Sequence, residues 1–414
     1  MSKKAKSQAS SSRAGAGFGF GSGASFSAFG ASASPLSYVS EPPDLSSISD
    51  ANTVVAFKNL SKKDSTTKAK ALEDLQTTVT SSGAPVEEAV LEAWLAHTVQ
   101  GQIATACGKR IARHMPKVVG AWLAGLYDND KSVSLAAQAS FKSVFASPEK
   151  LYNVRKAFQQ QILEYSRSVI DKETSSTLSD ERNTSPDDAE GKYNRVIASS
   201  IAVIASLLTE LSAEELAKEQ SSYEEAMQDS RLWDFSSYND PAVRRAIHRL
   251  LRTFMAKQRD AFSSNLPTIS KAYLANALNS DQTGSAYEFS ETLVALTKIS
   301  PAVWTEHYTS KTPVTRRLRQ FLKRGSQGGP REYWENVTKI MTSLPNEVLP
   351  SDSAEATEVL NAIRSGIISK DEPRMNISAA YTAYFNVTAA LSAGFSEEEQ
   401  HKLLAEMVLP LVLQ

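Results

Sequence analysis

Cysteine is nearly absent from this sequence, and histidine is scarce. The 414 residues include one cysteine, Cys107, and five histidines. A single cysteine excludes an internal disulfide, and so few thiol and imidazole groups argue against a zinc site. The apolar neighbours of Cys107 predict a buried thiol, and the lack of disulfides is typical of a reducing compartment.

Long apolar runs and an excess of charge of one sign are also missing. No segment approaches the roughly 18 consecutive apolar residues that a membrane span needs. Glycines and serines near the start interrupt the apolar core that a secretory signal requires. The 45 basic residues nearly balance the 46 acidic residues, which leaves a net charge of −1. We therefore predict no membrane partner, and any contact with nucleic acid would need local basic patches.

The residue constellations of known enzyme classes are absent as well. The sequence contains no P-loop, no GxSxG elbow, no HExxH and no CxxC. The histidines are scattered beside Trp, Arg or Leu on predicted helix faces, which favours satisfied structural residues. These histidines are His97, His114, His248, His307 and His401. We predict no catalytic residue, no metal site and no cofactor in this chain.

Residues 1–45 form a low-complexity segment rich in Ser, Ala and Gly, without an acidic residue before Glu41. Such a segment cannot bury enough apolar surface to offset the entropy of ordering, so we predict a disordered tail. Its Phe-Gly pairs are either short docking motifs or parts of a flexible linker, and the composition favours the linker.

The remaining residues, 46–414, have helical periodicity without any convincing strand pattern. Residues 118–126 and 154–169 place their apolar side chains on one helix face, and residues 196–211 are almost continuously apolar. Residues 171–192 are rich in Asp, Glu, Ser and Thr, and we predict an exposed acidic loop there. The pattern of residues 397–414 predicts a helix whose apolar face continues to the last residues without a cap. We therefore expect the domain to be truncated at its C-terminal end.

Two segments share a spacing that goes beyond helical periodicity. Asp130 and Asp240 are each followed by Val at +3, Ala at +6 and apolar residues at +11 and +14. The aspartate is expected to cap a helix N-terminus, and Pro241 stands where a missing N–H costs nothing. This resembles the second helix of a HEAT repeat. We predict an all-α, elongated HEAT/armadillo-like helical-repeat solenoid over residues 46–414.

Local clusters of positive charge are the main candidates for function. Lysines surround a predicted helix start near residue 65, further clusters lie at 109–117 and 244–252, and the densest run lies at 316–324. Each cluster alone reads as a solvated helix face. Several clusters on one repeat protein are also consistent with a phosphate-rich partner.

Several segments resemble the listerin family of ubiquitin ligases when they are read together. The most specific is Leu-Ser-Lys-Lys-Asp-Ser-Thr-Thr-Lys at residues 60–68, which matches a family motif almost letter for letter. The other similar segments, in similar order, are residues 29–39, 128–133, 177–180, 232–235 and 328–334. The resemblance covers most of the chain and is strongest between residues 29 and 260.

The resemblance implies the N-terminal ribosome-binding module of a ligase in ribosome-associated quality control. Family members are very long helical-repeat proteins that recognise large ribosomal subunits carrying stalled nascent chains, which are ubiquitinated and degraded. The implied partners are ribosomal RNA and proteins of the large subunit, and the quality-control protein that holds peptidyl-tRNA. The implied location is the cytosol, on ribosomes.

A RING domain, the zinc-bound platform of such ligases, needs about eight Cys and His ligands, which this chain lacks. We therefore expect the chain to be inactive alone, with zinc and the ubiquitin-conjugating enzyme bound only by a C-terminal RING. The alternative is a HEAT-repeat transport or scaffold protein whose Phe-Gly pairs belong to nuclear-pore traffic.

The resemblance also selects site residues. The expected ribosome-binding residues are Lys62, Lys63, Asp64, Thr67, Lys68 and Lys70. Charge density, and not the resemblance, gives the expected secondary basic patch, which consists of Arg316, Arg317, Arg319, Lys323 and Arg324.

Overall fold

A computed structural model of the protein describes residues 45–60, 65–81, 104–105, 108–179 and 184–413. Every regular element within these ranges is helical, and none of the described residues forms a strand. The all-α prediction is therefore confirmed. Of the predicted tail only Leu45 is described, and Cys107 also lies outside the described residues.

The α-helices are α1 (Ala51–Leu60), α2 (Ser65–Ser81), α3 (Met115–Gly125), α4 (Lys131–Val144), α5 (Pro148–Ala157), α6 (Gln159–Lys172), α7 (Ser175–Leu178), α8 (Pro186–Glu210), α9 (Ala213–Ala217), α10 (Gln220–Gln228), α11 (Ser230–Asp234), α12 (Pro241–Lys257), α13 (Arg259–Ser264), α14 (Leu266–Ser270), α15 (Ala286–Ile299), α16 (Val314–Lys323), α17 (Glu332–Met341), α18 (Ser353–Ile367), α19 (Ile377–Ser392), α20 (Glu397–Met407) and α21 (Leu409–Val412). The 3₁₀ turns are Leu45–Ser47, Gly108–Arg113, Phe235–Ser237, Ala277–Asn279, Pro301–Trp304 and Arg374–Asn376, and Lys271–Asn276 is a π-helix.

The helices stack in two rows, as expected for a helical-repeat solenoid. In the first row α8, α12, α15, α17 and α19 each pack against the next, and in the second row α16 packs on α18 and α18 on α20. Four helices of the first row begin at Pro241, Ala286, Glu332 and Ile377, which lie 45, 46 and 45 residues apart. This regular interval identifies successive repeats, each of which buries its apolar face only by stacking on its neighbours.

The predicted aspartate caps are confirmed. The Asp240 carboxylate accepts hydrogen bonds from the backbone N–H groups of Ala242 and Val243, at 2.8 and 3.0 Å. The side chain of Asp130 accepts from Ser132 at the start of α4, and these bonds lower the pKa of the Asp130 carboxyl. Val243 is fully buried as expected. Val133, its counterpart in α4, is only half-buried.

The acidic loop predicted at residues 171–192 is shorter and less exposed than expected. Helix α6 continues to Lys172, α7 forms a further turn, and α8 begins at Pro186. The Ser185 hydroxyl caps α8, and the acidic residues at 187 and 188 lie in its first turn, where carboxylates favour a helix. Leu178 is buried, so α7 is anchored to the core. Composition was misleading here because acidic residues are as typical of helix starts as of loops.

Glycine permits a close approach between two helices of the second row. Gly325 follows α16 with φ of +63°, the left-handed conformation common at helix ends. A Cβ atom on Gly366 in α18 would lie 2.4 Å from the carbonyl oxygen of Leu322. Any larger residue at Gly366 would therefore push α16 and α18 apart.

The predicted C-terminal helix is present but ends earlier than the pattern indicated. Helix α20 begins with a capping box between Ser396 and Glu399 and stops at Met407. Leu403 and Met407 are buried, whereas Leu404, which the pattern placed on the same apolar face, is exposed.

Candidate functional site

The predicted ribosome-facing element lies at the start of α2. Helix α2 begins at Ser65, where a helix start was predicted, and buries Ala71 and Leu75. Lys62, Lys63 and Asp64 lie outside the described residues. Thr67 is half-buried, and Lys70 is exposed. No acidic residue occupies the first turn of α2, whereas Lys68 does.

The structure divides the dense basic run on α16 into structural and exposed members. Arg324 is half-buried and donates to the carbonyl oxygens of Leu278, Asn279 and Ser280, at 3.1, 2.5 and 2.9 Å. Burial lowers the pKa of this guanidinium. Arg324 therefore stabilises the contact between α16 and the preceding repeat.

Two further arginines of this run also have protein partners. Arg317 donates to the hydroxyl groups of Tyr308 and Ser310, at 3.2 and 3.3 Å. Arg319 forms an ion pair with Glu358 on α18. Arg316 and Lys323 are exposed, and neither has a side-chain hydrogen bond or ion pair with another described residue. These two cations are the members of the run that are available to an outside partner.

The arginines of α12 are divided in the same way. Arg244 is 3% exposed, and its guanidinium donates to Ser285 Oγ at 2.8 Å and to the carbonyl oxygens of Tyr238, Asn239 and Thr283. Burial lowers the pKa of Arg244. Arg244 therefore joins the loops that precede α12 and α15, which is a structural role that the charge pattern did not reveal.

Hydrogen bonds between equivalent loop positions connect one repeat to the next. Gln282 Nε2 donates to the carbonyl oxygen of Ser236 at 3.0 Å, and the Gln282 N–H donates to Gln327 Oε1 at 2.8 Å. One repeat further, Glu372 accepts from the Ser326 N–H at 2.8 Å. These positions lie 45 or 46 residues apart, so the bonds form a ladder along the buried side of the loops.

His248 is part of the same buried network. Its ring nitrogens lie 3.3 Å from the Tyr273 hydroxyl and 3.2 Å from Gln282 Oε1. Complete burial lowers the pKa of His248 to about 3, so the ring is neutral at physiological pH. The prediction of a satisfied core histidine is confirmed at this position, and the ring is not accessible to a substrate.

The described residues contain no cluster of three or more His, Cys, Asp or Glu side chains that would hold a metal ion. Within the same residues, no helix is both long and apolar enough to cross a membrane.

Comparison with known proteins identifies the family. The N-terminal domain of E3 ubiquitin-protein ligase listerin matches residues 48–344. The listerin of Neurospora crassa is 36% identical over 408 residues, covering 93% of this chain and 25% of that protein. Mouse listerin is 23% identical over 411 residues, covering 94% of this chain and 23% of the relative.

The chain therefore spans about a quarter of the length of these curated relatives. The matched region includes the motif at residues 60–68 and the repeats from α1 to α17, while the similar segment at 29–39 lies before it. This chain belongs to the listerin family of E3 ubiquitin-protein ligases and corresponds to its N-terminal region.

Proposed function

We propose that this chain is the N-terminal module with which an E3 ubiquitin ligase binds large ribosomal subunits carrying stalled nascent chains. In this proposal the module docks the ligase on ribosomal RNA and proteins in the cytosol. It lies beside the quality-control protein that holds peptidyl-tRNA. A RING elsewhere in the full-length ligase binds zinc, recruits the ubiquitin-conjugating enzyme and marks the nascent chain for degradation.

The observation that carries the proposal is the charge at the start of α2. Free N–H groups and the helix dipole make a helix N-terminus favourable for anions and unfavourable for cations. Helices α5, α8 and α20 follow this preference with acidic first turns. Helix α2 has Lys68 there and Lys62 and Lys63 just before it in sequence. With only Asp64 between these lysines and the helix, the sequence here carries an excess of positive charge, which would favour a bound phosphate group.

The proposal is tested by co-sedimentation of the chain with isolated large subunits and, in parallel, with whole ribosomes. We expect recovery with large subunits, less recovery with whole ribosomes, and a loss of binding as salt rises. Each lost phosphate contact should reduce the slope of log K against log salt concentration by about one.

The site is tested by Lys62→Glu combined with Lys63→Glu. We expect weaker subunit binding and an unchanged melting temperature, because in this proposal the two lysines, which precede the helix in sequence, serve binding and not folding. Lys142→Glu with Lys150→Glu is the matched control, since both lysines are exposed and the change in charge is the same. Equal binding by the parent and the Lys62/Lys63 variant would contradict the assignment of this site.

A further inference from the structure

Arg155 is a buried cation without a charged partner among the described residues. It lies in the last turn of α5 and is only 5% exposed. Its one hydrogen bond within these residues runs from Nη2 to the Tyr127 hydroxyl, at 3.4 Å, and its Nε is buried without a partner. A guanidinium has five N–H donors, so most of the donors of Arg155 are unused.

Arg244 shows what the burial of an arginine requires elsewhere in this fold. It is 3% exposed, and four oxygen acceptors surround its guanidinium. Removal of a guanidinium from water is unfavourable unless such acceptors replace the lost hydration. The helix dipole at the C-terminal end of α5 offsets only a small part of this cost for Arg155. The fold therefore buries the charge of Arg155 without supplying the acceptors that such a charge needs.

The carboxylates that adjoin this pair are bound to other cations. Glu215 is paired with Lys156, the residue that follows Arg155, at 2.8 Å. Asp128, which follows the tyrosine in sequence, accepts from Arg195 at 2.9 and 3.0 Å. Neither carboxylate can pair with Arg155 without leaving its present partner.

Tyr127 connects Arg155 to a groove between α8 and α12. The groove has a volume of about 590 Å³, and Tyr127 is one of the residues that line it. The Tyr127 oxygen accepts from Arg155, and its own O–H group has no acceptor among the described residues. Glu210 is the single carboxylate among the described lining residues, and it is exposed and forms no ion pair with Arg155. A charged donor and a neutral donor therefore lie together at the edge of the groove.

We propose that Arg155 and Tyr127 form a binding site for a carboxylate group of a partner protein, either an acidic side chain or a terminal carboxylate. A planar guanidinium can bind both oxygens of a carboxylate through two N–H donors, and the tyrosine O–H can donate to one of them. A carboxylate carries the single negative charge that matches one guanidinium. A phosphate monoester carries up to two, which Glu210 in the same groove disfavours. The proposal does not depend on ribosome binding.

The first test measures the thermal stability of the full chain. Arg155→Met removes one long hydrogen bond together with a buried charge, so we expect the melting temperature to stay the same or to rise. Lys150→Met is the control, because Lys150 is an exposed residue of the same helix. A fall in melting temperature beyond that of the control would overturn the proposal, since it would show that the charge of Arg155 serves the fold.

The second test titrates sodium acetate into the full chain and follows the Nε–H signal of Arg155 by NMR. The signal is identified by its absence from Arg155→Met, and sodium chloride at equal concentration corrects for ionic strength. We expect a saturable shift with acetate and none with acetamide, which has the same shape but no charge. Tyr127→Phe should bind acetate about fivefold more weakly because one donor is lost, and Lys150→Met should bind it like the parent.

Three results of the titration would overturn the proposal. The first is the absence of a saturable acetate shift in the parent. The second is a stronger response to inorganic phosphate than to acetate, which would indicate a phosphate site. The third is acetate binding that appears only in Glu210→Gln, which would show that Glu210 occupies the site within the chain. Neither test contains ribosomes, so failure here leaves the co-sedimentation result to be judged separately.

Discussion

Arg244→Met is the substitution that most directly tests the division between structural and exposed arginines. Methionine preserves much of the volume and the apolar stem but removes all hydrogen bonds from the guanidinium to Ser285, Tyr238, Asn239 and Thr283. Four bonds to a charged donor, at about 1.5 kcal/mol each, would sum to about 6 kcal/mol.

Two effects reduce the expected loss. Asn239 and Thr283 are exposed, so their carbonyl groups regain hydrogen bonds with water, and the buried guanidinium no longer has to be desolvated. We therefore expect Arg244→Met to lower the free energy of unfolding by about 3 kcal/mol. Arg245→Met is the matched control, because Arg245 is half-buried and, among the described residues, donates only to Gly284; we expect a loss of at most about 1 kcal/mol.

Urea denaturation followed by tryptophan fluorescence measures both variants, since Trp233 is fully buried in the neighbouring helix α11. Hydrogen exchange at residues 281–285 then shows whether stability is lost in this loop, because Arg244 holds the loop to α12. If Arg244→Met destabilised the protein no more than Arg245→Met, the assignment of Arg244 as a clamp between repeats would be wrong.

Three other predictions follow from the structure and the sequence. Asp240→Ala should lower the free energy of unfolding by about 1 kcal/mol through loss of the cap, and Val243→Asp should unfold the adjacent repeats, as seen by circular dichroism; unchanged melting of Val243→Asp would show that this face is misplaced. Because burial lowers the pKa of His248 to about 3, the unfolded chain binds a proton that the folded chain does not, so stability is full above pH 6.5 and falls as the pH is lowered towards 3. Between pH 7 and 5 this one group should cost about 2 kcal/mol, and urea titrations of His248→Gln should lack that contribution. Finally, the chain supplied with ubiquitin-activating and ubiquitin-conjugating enzymes should form no ubiquitin chains and bind no stoichiometric zinc; detection of either by gel or metal analysis would contradict the expectation that the ligase centre lies in a separate RING.

The positive clusters show how the same sequence pattern can serve two purposes. Arg244 and Arg249 are close on one helix and look alike in sequence, yet one is buried against loop carbonyls and the other is mostly exposed. The charge runs indicated candidate binding regions, but only the packing of α12 against its neighbours showed which of its arginines are buried in structural contacts. On α16, Arg316 and Lys323 are the stronger candidates within the predicted secondary patch because both are exposed.

The sequence by itself determined where several helices begin, which of their faces are buried and which family the chain belongs to. Asp240 followed by Pro241 specified a helix start because a carboxylate can cap free N–H groups and proline fits the first helical position. Apolar spacing of three and four residues specified the buried faces of α3, α6 and α12. The motif at residues 60–68 indicated the family, since its residue types in that order are specific.

Only the tertiary structure decided how the helices combine. Ser236, Gln282, Gln327 and Glu372 occupy successive loops of the ladder, yet they share no residue type that a sequence pattern would detect. Hydrogen bonds to backbone carbonyls and close contacts between small side chains depend on where a residue lies in the fold and not on its type. The sequence therefore predicted the helices and their starts but not the surfaces between them.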